Sequence, residues 1–347
     1  MQKSNNYFSR LDKCLLIAEI GVNHNGNMAL AQKMITEAKR AGADAVKFQS
    51  FNANTLASKE TPKVDYQKNL TRNDESHYEM LKKLELTRSD HLLLYDYCKK
   101  LGISFLSTPY DVESARFLHE DIDVEMFKTA SADIVDFSLH EYIASTRKPA
   151  IISVGMASLG EIEDVLRIYH KHRNNDIVLL HCVSNYPCKS ESINMEVMNT
   201  LSQAFQLPVG FSDHSEGPEA AILSIAYKAK VIEKHFTLDN NLEGPDHKAS
   251  TMPIDFTLLV NSVRKAEKII GSPIKEVQNE EMQMSKVSRK TMHFSRDMNS
   301  GEILQMDDIV LSRPGTGLYI SLLPHLLGRK VNKPITKGMM VKFSDFI

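Results

Sequence analysis

The segment L-P-V-G-F-S-D-H-S-E-G at Leu207–Gly217, together with K-V-I-E-K-H-F-T-L-D at Lys230–Asp239, carries the strongest structural signal in this chain. In each part a short apolar run ends in polar residues and a histidine, His214 in the first and His235 in the second. Polar groups directly after buried parallel strands are where barrel enzymes and doubly wound enzymes keep their chemistry. The two runs therefore predict successive strands of a parallel sheet with reactive side chains at their carboxyl ends.

The two histidines are candidate ligands of one divalent metal ion. Alternation along a strand places Ser212 on the same face as His214, and Glu233 on the same face as His235. If the two strands are neighbours, both imidazoles point into one pocket. A hydrogen-bonded structural role is the alternative for either histidine alone, because no short metal-ligand signature such as H-E-x-x-H is present.

The same strand pattern recurs along most of the chain. The predicted strands are Cys14–Ile20, Ala45–Phe48, Ser104–Leu106, Met126–Lys128, Ala150–Ser153, Ile177–His181, Val209–Phe211 and Val231–His235. Amphipathic stretches predict helices at Met28–Ala41, Tyr78–Leu84, Asp90–Leu101, Val112–His119, Ser158–His172, Pro218–Lys228 and Asp255–Ile270. Eight βα units predict a (β/α)8 TIM barrel, a fold of about 250 residues. A doubly wound sheet is the alternative, but no G-x-G-x-x-G follows the first strand.

The predicted domains are a barrel at 1–272, a linker at 273–290 and a small β-rich domain at 291–347. Within this last domain Gly301, Ile303, Met306, Asp308 and Ile309 recur at a constant offset as Gly338, Met340, Phe343, Asp345 and Phe346. The recurrence predicts a duplicated hairpin-like unit. The long polar connection at 51–89 follows the second strand, so we interpret it as a lid over the catalytic face.

Composition excludes several classes of protein. The chain has 347 residues and a net charge of −2, which gives no electrostatic footprint for nucleic acid or an anionic membrane. No apolar run approaches the roughly 20 residues of a membrane span, and the first residues lack the apolar core of a signal peptide. The four cysteines form neither a disulfide framework nor a C-x-x-C metal pattern, so we expect reduced thiols in a cytoplasmic protein.

Lys47 and Lys128 lie in predicted buried strands, where a lysine costs several kcal/mol unless its charge is paired. With hydroxyl groups at neighbouring strand ends, the two lysines predict a pocket for a polyanion such as phosphate. A Schiff-base lysine is the alternative, and a salt bridge with Glu19 or Asp133 would explain either lysine alone. Together with the metal candidate, these groups indicate metal-assisted carbon–carbon bond chemistry or hydrolysis on a phosphorylated small molecule.

Seven motifs, in order along the chain, resemble those of the sialic acid synthases. They are I-A-E-I-G-V-N-H-N-G at Ile17–Gly26, A-D-A-V-K-F-Q at Ala43–Gln49, F-L-S-T-P-Y at Phe105–Tyr110, H-C-V-S-N-Y-P at His181–Pro187, G-F-S-D-H-S at Gly210–Ser215, I-E-K-H-F-T at Ile232–Thr237 and G-P-D-H at Gly244–His247. In addition, S-R-P-G-T-G at Ser312–Gly317 resembles the C-terminal antifreeze-like (SAF, β-clip) domain of that family. The resemblance covers nearly the whole chain.

The resemblance implies a condensation of phosphoenolpyruvate with an N-acetylmannosamine-type sugar and water. The products are a nine-carbon 2-keto sugar acid, N-acetylneuraminate, and inorganic phosphate, formed with C–O bond cleavage. Legionaminate or pseudaminate synthesis from a 2,4-diacetamido-2,4,6-trideoxyhexose is the alternative within the family. A Schiff-base lysine aldolase and a non-enzymatic binding protein are the competing classes.

The resemblance also implies roles for individual residues. Glu19, His214 and His235 become catalytic, and the two histidines hold Mn²⁺ or Mg²⁺. The residues implied to bind phosphoenolpyruvate are Lys47, Thr108, Lys128, Ser131, Ser153, Ser184 and Ser212. Those implied to bind the sugar are Gln49, Asp133, Tyr186, Asp246 and Arg313, the last in the other subunit of a homodimer with swapped SAF domains. Some members have glutamate at the position of Asp133 and asparagine at that of Ser184, so these two contacts can differ here.

Overall fold

The computed structural model of the protein describes residues 6–56 and 76–347. The chain divides into two compact units, the first extending to Gly271 and the second spanning Ser272–Ile347. Within the described ranges, no helix is both long enough and apolar enough to cross a membrane. Residues 57–75 of the predicted lid at 51–89 lie outside the described residues.

The first unit contains the eight predicted strands. They are β1 (Leu15–Gly21), β2 (Ala45–Ser50), β3 (Ser104–Pro109), β4 (Phe127–Thr129), β5 (Ala150–Ser153), β6 (Ile177–Cys182), β7 (Val209–Asp213) and β8 (Val231–His235). All neighbouring pairs in the ladder β3-β2-β1-β8-β7-β6-β5-β4 are parallel, and β3 lies against β4. The predicted (β/α)8 barrel is therefore confirmed.

The helices lie between and after the strands. They are α1 (Met28–Arg40), α2 (Ala53–Leu56), α3 (His77–Leu84), α4 (Arg88–Leu101), α5 (Val112–Glu120), α6 (Phe137–Thr146), α7 (Leu159–Lys171), α8 (Ser190–Ile193), α9 (Val197–Phe205), α10 (Glu219–Ala226) and α11 (Pro253–Ile270). The seven predicted helices are present to within a few residues, whereas the short helices α2 and α8 and the longer helices α6 and α9 were not predicted. Helix α6 has a weak amphipathic pattern, although Asp136 caps it by accepting a hydrogen bond from the Leu139 amide.

The register of the ladder brings the polar strand ends of β1, β2 and β8 together. Glu19 on β1 pairs with Lys47 on β2 on one side and with His235 on β8 on the other. On β7, Ser212 pairs with Glu233 of β8. Residues in register on neighbouring parallel strands have their side chains on the same face. Carboxylate, ammonium, hydroxyl and imidazole groups therefore meet at the carboxyl end of the barrel.

The second unit begins with an exposed segment that contains α12 (Glu281–Ser288), followed by an antiparallel pair of β9 (Thr291–Phe294) with β10 (Ile309–Ser312). Its small core includes Met292, Phe294, Leu304, Leu326, Val331 and Val341. The sequence recurrence has a structural counterpart in two 3-10 turns, Met306–Asp308 and Phe343–Asp345. In each turn a buried aspartate accepts a hydrogen bond from the backbone amide three residues earlier.

Gly210 has a steric role in the barrel wall. A Cβ atom at this position would lie 2.4 Å from the Val231 carbonyl oxygen and 2.5 Å from Leu180 Cδ2. Both distances are far below van der Waals contact, and the nearer atom belongs to the backbone of the neighbouring strand, β8. A larger residue would therefore force the β7–β8 ladder apart, at the point where the predicted site begins.

We expect Gly210→Ala to lower the free energy of unfolding by about 1–3 kcal/mol, because the added methyl group overpacks the strand interface. Thermal unfolding followed by circular dichroism would measure this as a fall of several degrees in the midpoint. Gly160→Ala is the matched control, since a Cβ there meets its nearest atom at 3.9 Å, and it should unfold at or slightly above the wild-type temperature. Equal midpoints for the two variants would contradict the steric role of Gly210.

Candidate active site

A cavity of about 490 Å³ lies at the carboxyl ends of the barrel strands. All but two of the predicted site residues line it. They are Glu19, Lys47, Gln49, Thr108, Lys128, Ser131, Ser153, Ser184, Tyr186, Ser212, His214, His235 and Asp246. Residues more than 200 positions apart in the chain thus face one cavity, whose size suits one or two small molecules.

Four buried charges form the floor of this cavity. Lys47 Nζ lies 2.8 Å from Glu19 Oε2 and 3.7 Å from Glu233 Oε2, while Lys128 Nζ lies 3.6 Å from Glu233 Oε1. Ser212 donates a 2.9 Å hydrogen bond to Glu233. Each of the four charged side chains is at most 7% exposed. Positive and negative groups therefore alternate, with Glu233 between the two lysines.

The alternation of charge sets the protonation of these groups. Burial opposes the ammonium form of Lys47, but the carboxylates of Glu19 and Glu233 more than offset this and raise its pKa. Burial would likewise raise the pKa of Glu233, yet the ammonium groups of Lys128 and Lys47 outweigh it and hold that pKa below its usual range. For Glu19, burial dominates and its pKa is raised. Glu19 is therefore the carboxyl group in this cluster that can change its protonation near neutral pH.

Burial lowers the pKa of Lys128, which is the direction that a Schiff-base lysine requires. The contacts of its amine favour the charged form instead. Lys128 Nζ donates to Ser153 Oγ at 2.7 Å and to the Thr129 carbonyl oxygen at 2.9 Å, in addition to its ion pair with Glu233. An ammonium group has three protons to donate; two go to these hydrogen-bond acceptors, and the third is left for another acceptor.

Hydroxyl groups extend the positive part of the floor. Lys47 donates to Thr108 Oγ1 at 2.8 Å, which brings the end of β3 to the lysine on β2. Together with Ser153 beside Lys128, these groups offer hydroxyl and ammonium donors to one bound anion. The predicted polyanion pocket thus has its donor groups in one place.

A second hydroxyl cluster depends on Gly155, which follows β5. Its backbone amide donates to Ser131 Oγ at 2.9 Å, and Ser131 Oγ lies 3.2 Å from Cys182 Sγ. A Cβ on Gly155 would lie 2.6 Å from both Cys182 Sγ and Ser184 Oγ. The glycine therefore allows Ser131 and Ser184 to approach the same point of the cavity wall. Cys182, the last residue of β6, also lines the cavity.

His214 and His235 are neighbours, with ring centroids 5.6 Å apart. His214 Nδ1 lies 2.8 Å from the Val183 carbonyl oxygen, an atom that only accepts, so Nδ1 carries the proton and Nε2 carries the lone pair. Nδ1 of His235 is buried and makes no hydrogen bond. Burial lowers the pKa of His214, and burial together with the nearby His214 lowers that of His235 to about 3. Both imidazoles are therefore neutral at physiological pH.

Neutral imidazoles with available lone pairs are the form that binds a divalent metal. The hydrogen bond from His214 to a backbone carbonyl is the arrangement that orients histidine ligands at metal sites. Within the described ranges, no group of three or more His, Cys, Asp or Glu side chains is arranged to hold a metal. The histidine pair fits a site whose remaining ligands are water or substrate oxygens, as an open catalytic site requires.

The predicted sugar contacts occupy other parts of the wall. Gln49 Nε2 lies 3.4 Å from Glu19 Oε1, and the Tyr186 ring packs against His214 with centroids 4.1 Å apart. Asp246 is partly buried in the cavity wall, and burial raises its pKa to about 6. These polar groups surround the histidine pair and Glu19, where the hydroxyl groups of a sugar would find both donors and acceptors.

Two predicted site residues do not line the cavity. Asp133 lies on the 3-10 turn Ser131–Val135, and burial followed by the charge of Asp136 raises its pKa to about 7. Because a 3-10 turn does not alternate its side chains as a strand does, the motif around Ser131 could not place Asp133. Arg313 belongs to the second unit, where it is exposed and donates to the Ser288 carbonyl oxygen at 3.0 Å.

Other polar groups near the strand ends also face away from the cavity. Asp213 and Lys234 form a buried ion pair of 2.7 Å on the opposite face of β7 and β8. His181 binds the Ile193 carbonyl oxygen at 2.6 Å. These groups join the strands to the surrounding segments, so a polar residue at a strand end is not sufficient evidence for a place in the site.

Glu233 and Tyr110 are polar residues of the cavity that were not predicted as site residues. Glu233 lies between both lysines, and its position two residues before His235 was an available signal, since alternation places both on one face. Tyr110 directly follows β3 and lines the cavity, where burial raises its hydroxyl pKa well above the usual range. Tyr110 ends the F-L-S-T-P-Y motif, and its position directly after a strand was the sequence feature that could have identified it as a site residue.

Comparisons with known proteins agree on one family. Residues 34–275 match the model of the NeuB family. The chain is 41% identical over 329 residues to N,N'-diacetyllegionaminic acid synthase of Legionella pneumophila, covering 94% of this chain and 92% of that protein. It is 40% identical over 334 residues to the enzyme of the same name from Campylobacter jejuni, covering 96% of this chain and 100% of that protein.

A solved structure has a similar fold. The N-acetylneuraminic acid (sialic acid) synthetase of Leptospira borgpetersenii, in complex with citrate, superposes with a TM-score of 0.69 and is 36% identical in sequence. The match covers 79% of this chain and 90% of that one. With most of its length matched by the family model and by these relatives, the chain belongs to the NeuB family of sialic acid and related nonulosonate synthases and is an enzyme of that type.

Proposed function

We propose that the enzyme condenses phosphoenolpyruvate with 2,4-diacetamido-2,4,6-trideoxymannose and water to give N,N'-diacetyllegionaminic acid and inorganic phosphate. In this reaction C3 of phosphoenolpyruvate forms a bond to the aldehyde carbon of the sugar. Water adds at C2, and the C2–O bond to phosphate breaks. No oxidant or reductant takes part.

The observation that carries this proposal is the position of an anion pocket next to a pair of neutral histidines. Lys47 and Lys128, with their hydroxyl partners, supply the charge that a phosphate and a carboxylate need. His214 and His235 lie in the same cavity, so a second, uncharged substrate can bind beside the anion. Glu19, whose pKa is raised by burial, is placed to exchange a proton with water or substrate.

The relatives favour the diacetamido sugar over N-acetylmannosamine. Two proteins that match more than nine-tenths of this chain at 40–41% identity are both named N,N'-diacetyllegionaminic acid synthase. N-acetylneuraminate synthesis, the first expectation from sequence, uses the same reaction with a different sugar. Legionaminate synthesis, the alternative within the family, therefore has the better support.

We further propose that His214 and His235 hold Mn²⁺ or Mg²⁺. When bound, such an ion acts as a Lewis acid toward the oxygen atoms of the sugar aldehyde. The protein supplies the orientation of the ligands through the contact of His214 with Val183 and through the Tyr186 ring that packs on both histidines. We place the enzyme in the cytoplasm, in keeping with four buried free cysteines.

The second unit is proposed to be an SAF domain that completes the site of a partner subunit. Its S-R-P-G-T-G motif, with Arg313 exposed, supports this assignment. An exposed guanidinium group can donate to the carbonyl oxygen of a sugar acetamido group. A homodimer with swapped SAF domains would then contain two complete sites.

Phosphate release from phosphoenolpyruvate in the presence of Mn²⁺ tests the proposed reaction. We expect release with 2,4-diacetamido-2,4,6-trideoxymannose and at least about 10-fold lower kcat/KM with N-acetylmannosamine, because a polar group brought into an unsuitable pocket costs more than 1 kcal/mol. Preference for N-acetylmannosamine would contradict the choice of sugar. Trapping of a covalent adduct by borohydride would instead support the Schiff-base alternative at Lys128.

Replacement of either histidine tests the metal site. His214→Ala and His235→Ala should each lower bound Mn²⁺, measured by titration calorimetry and elemental analysis, and lower kcat by at least about 100-fold, because loss of a ligand abolishes orientation of the ion. His170→Ala, on the exposed surface of α7, is the control and should bind metal as the wild type does. Unchanged metal content in both site variants would argue against the assignment.

A mixed dimer tests the role of Arg313. Arg313→Ala and His235→Ala should each be inactive alone. If the domains are swapped, a mixture of the two variants, refolded or co-expressed together, should regain about a quarter of wild-type activity. Half of the dimers then contain one chain of each variant, and each of these has one intact site out of two. Arg329→Ala, also exposed in the second unit, should keep full activity alone. No recovery in the mixture would indicate that Arg313 acts within its own subunit.

A further inference from the structure

One side of the cavity is apolar, in contrast to its charged floor. It is lined by Val22, Leu56, Met80, Leu81 and Leu84, which we call the apolar wall. Val22 directly follows β1, Leu56 ends α2, and the other three lie on α3. The mechanism proposed above uses none of these side chains.

The apolar wall is packed rather than loosely exposed. Val22, Met80 and Leu84 are each at most 7% exposed and form one cluster with Phe51. Leu56 and Leu81 are partly buried and pack on this cluster, so their remaining surface faces the cavity. The Tyr110 ring meets Phe51 edge to face, with centroids 6.1 Å apart. The wall is thus held in place by a small core of its own.

The apolar wall and the histidine pair belong to different segments of the chain. The residues of the wall follow β1 and β2 or belong to α3, whereas His214 and His235 lie on or directly after β7 and at the end of β8. The aldehyde carbon of the sugar has to lie at the histidines and the phosphoenolpyruvate pocket. The opposite end of the open-chain sugar has to meet another part of the cavity lining, and the wall, which contains neither the histidines nor the lysines, is such a part.

The composition of the wall selects among the groups that a sugar can present. Hydroxyl and acetamido groups need hydrogen-bond partners, and burial without them costs free energy. Apart from His77 in its first turn, α3 contributes only apolar side chains to the cavity. A methyl group needs no hydrogen-bond partner and gains from leaving water. In 2,4-diacetamido-2,4,6-trideoxymannose, the carbon farthest from the aldehyde is such a methyl group.

We propose that the apolar wall binds the C6 methyl group of the sugar and that Leu56 and Leu81 are specificity-determining residues for 6-deoxy substrates. The inference rests on the proposed function, because it assigns the contact of one substituent of the proposed sugar. It predicts that a hydroxyl group at C6 is disfavoured by this surface and by no other part of the site.

The test compares two sugars that differ by one oxygen atom, 2,4-diacetamido-2,4,6-trideoxymannose and its 6-hydroxy counterpart 2,4-diacetamido-2,4-dideoxymannose. Wild-type enzyme should favour the 6-deoxy sugar in kcat/KM by about 10–100-fold, the range for a hydroxyl group in an apolar pocket. Leu81→Gln and Leu56→Gln should each lower that ratio by about 10-fold, because the new amide can hydrogen-bond the added hydroxyl. The KM for phosphoenolpyruvate should stay within about twofold, since its pocket is untouched.

Leu93→Gln makes the same change at a 57% exposed position on α4 outside the cavity and should keep the wild-type ratio. Having the two test variants on different helices guards against a folding defect in one of them, which thermal unfolding would reveal. A wild-type ratio in both folded, active variants would overturn the assignment of the apolar wall while leaving the proposed function intact. Failure of the wild-type enzyme to use either sugar would instead overturn the proposed function and the assignment together.

Discussion

The buried charge cluster at the carboxyl end of the barrel is the constraint on which the rest of the structure depends. Two lysines and two glutamates are removed from water there, and an isolated buried charge costs several kcal/mol. Alternation of sign compensates for this, because Glu233 contacts both lysines and Glu19 contacts Lys47. The compensation works only if β1, β2, β4 and β8 keep their places in the barrel. The fold and the site are therefore coupled.

The cluster also explains why the cavity can bind an anion and a metal ion side by side. Lys47, paired with two carboxylates, keeps its charge when buried, while burial makes the neighbouring histidines neutral. The same low-polarity surroundings thus produce cationic donors at one point and neutral metal ligands at another. In addition to the charges, the apolar wall gives the cavity a second kind of surface, suited to a deoxygenated sugar carbon. In this interpretation, the charged groups and histidines determine the type of reaction, and the apolar wall determines the choice of sugar.

In the second unit, aspartate side chains bind backbone amides in two equivalent turns. Its two 3-10 turns each contain a buried aspartate that satisfies a backbone amide, and each follows a glycine with positive φ, Gly301 in one repeat and Gly338 in the other. A short chain segment with little regular sheet needs such side-chain caps, because its backbone groups have few ladder partners. The sequence recurrence between the repeats reflects this shared need.

The sequence by itself determined the eight strands and the barrel, because short apolar runs separated by helical patterns admit few other folds. It also identified most of the cavity residues, since parallel strands bring their carboxyl ends together whatever lies between them. Alternation grouped Glu233 with His235, but the sequence did not show that this face, rather than the one with Asp213 and Lys234, lines the cavity, and it could not exclude Asp133 from the wall. Those outcomes depend on which face of each strand turns inward and on where a 3-10 turn replaces a strand. Only the tertiary structure forms the apolar wall, in which α2 and α3 pack on each other and on Val22 and Phe51. Contacts between separate segments of the chain produce no periodic pattern in the sequence.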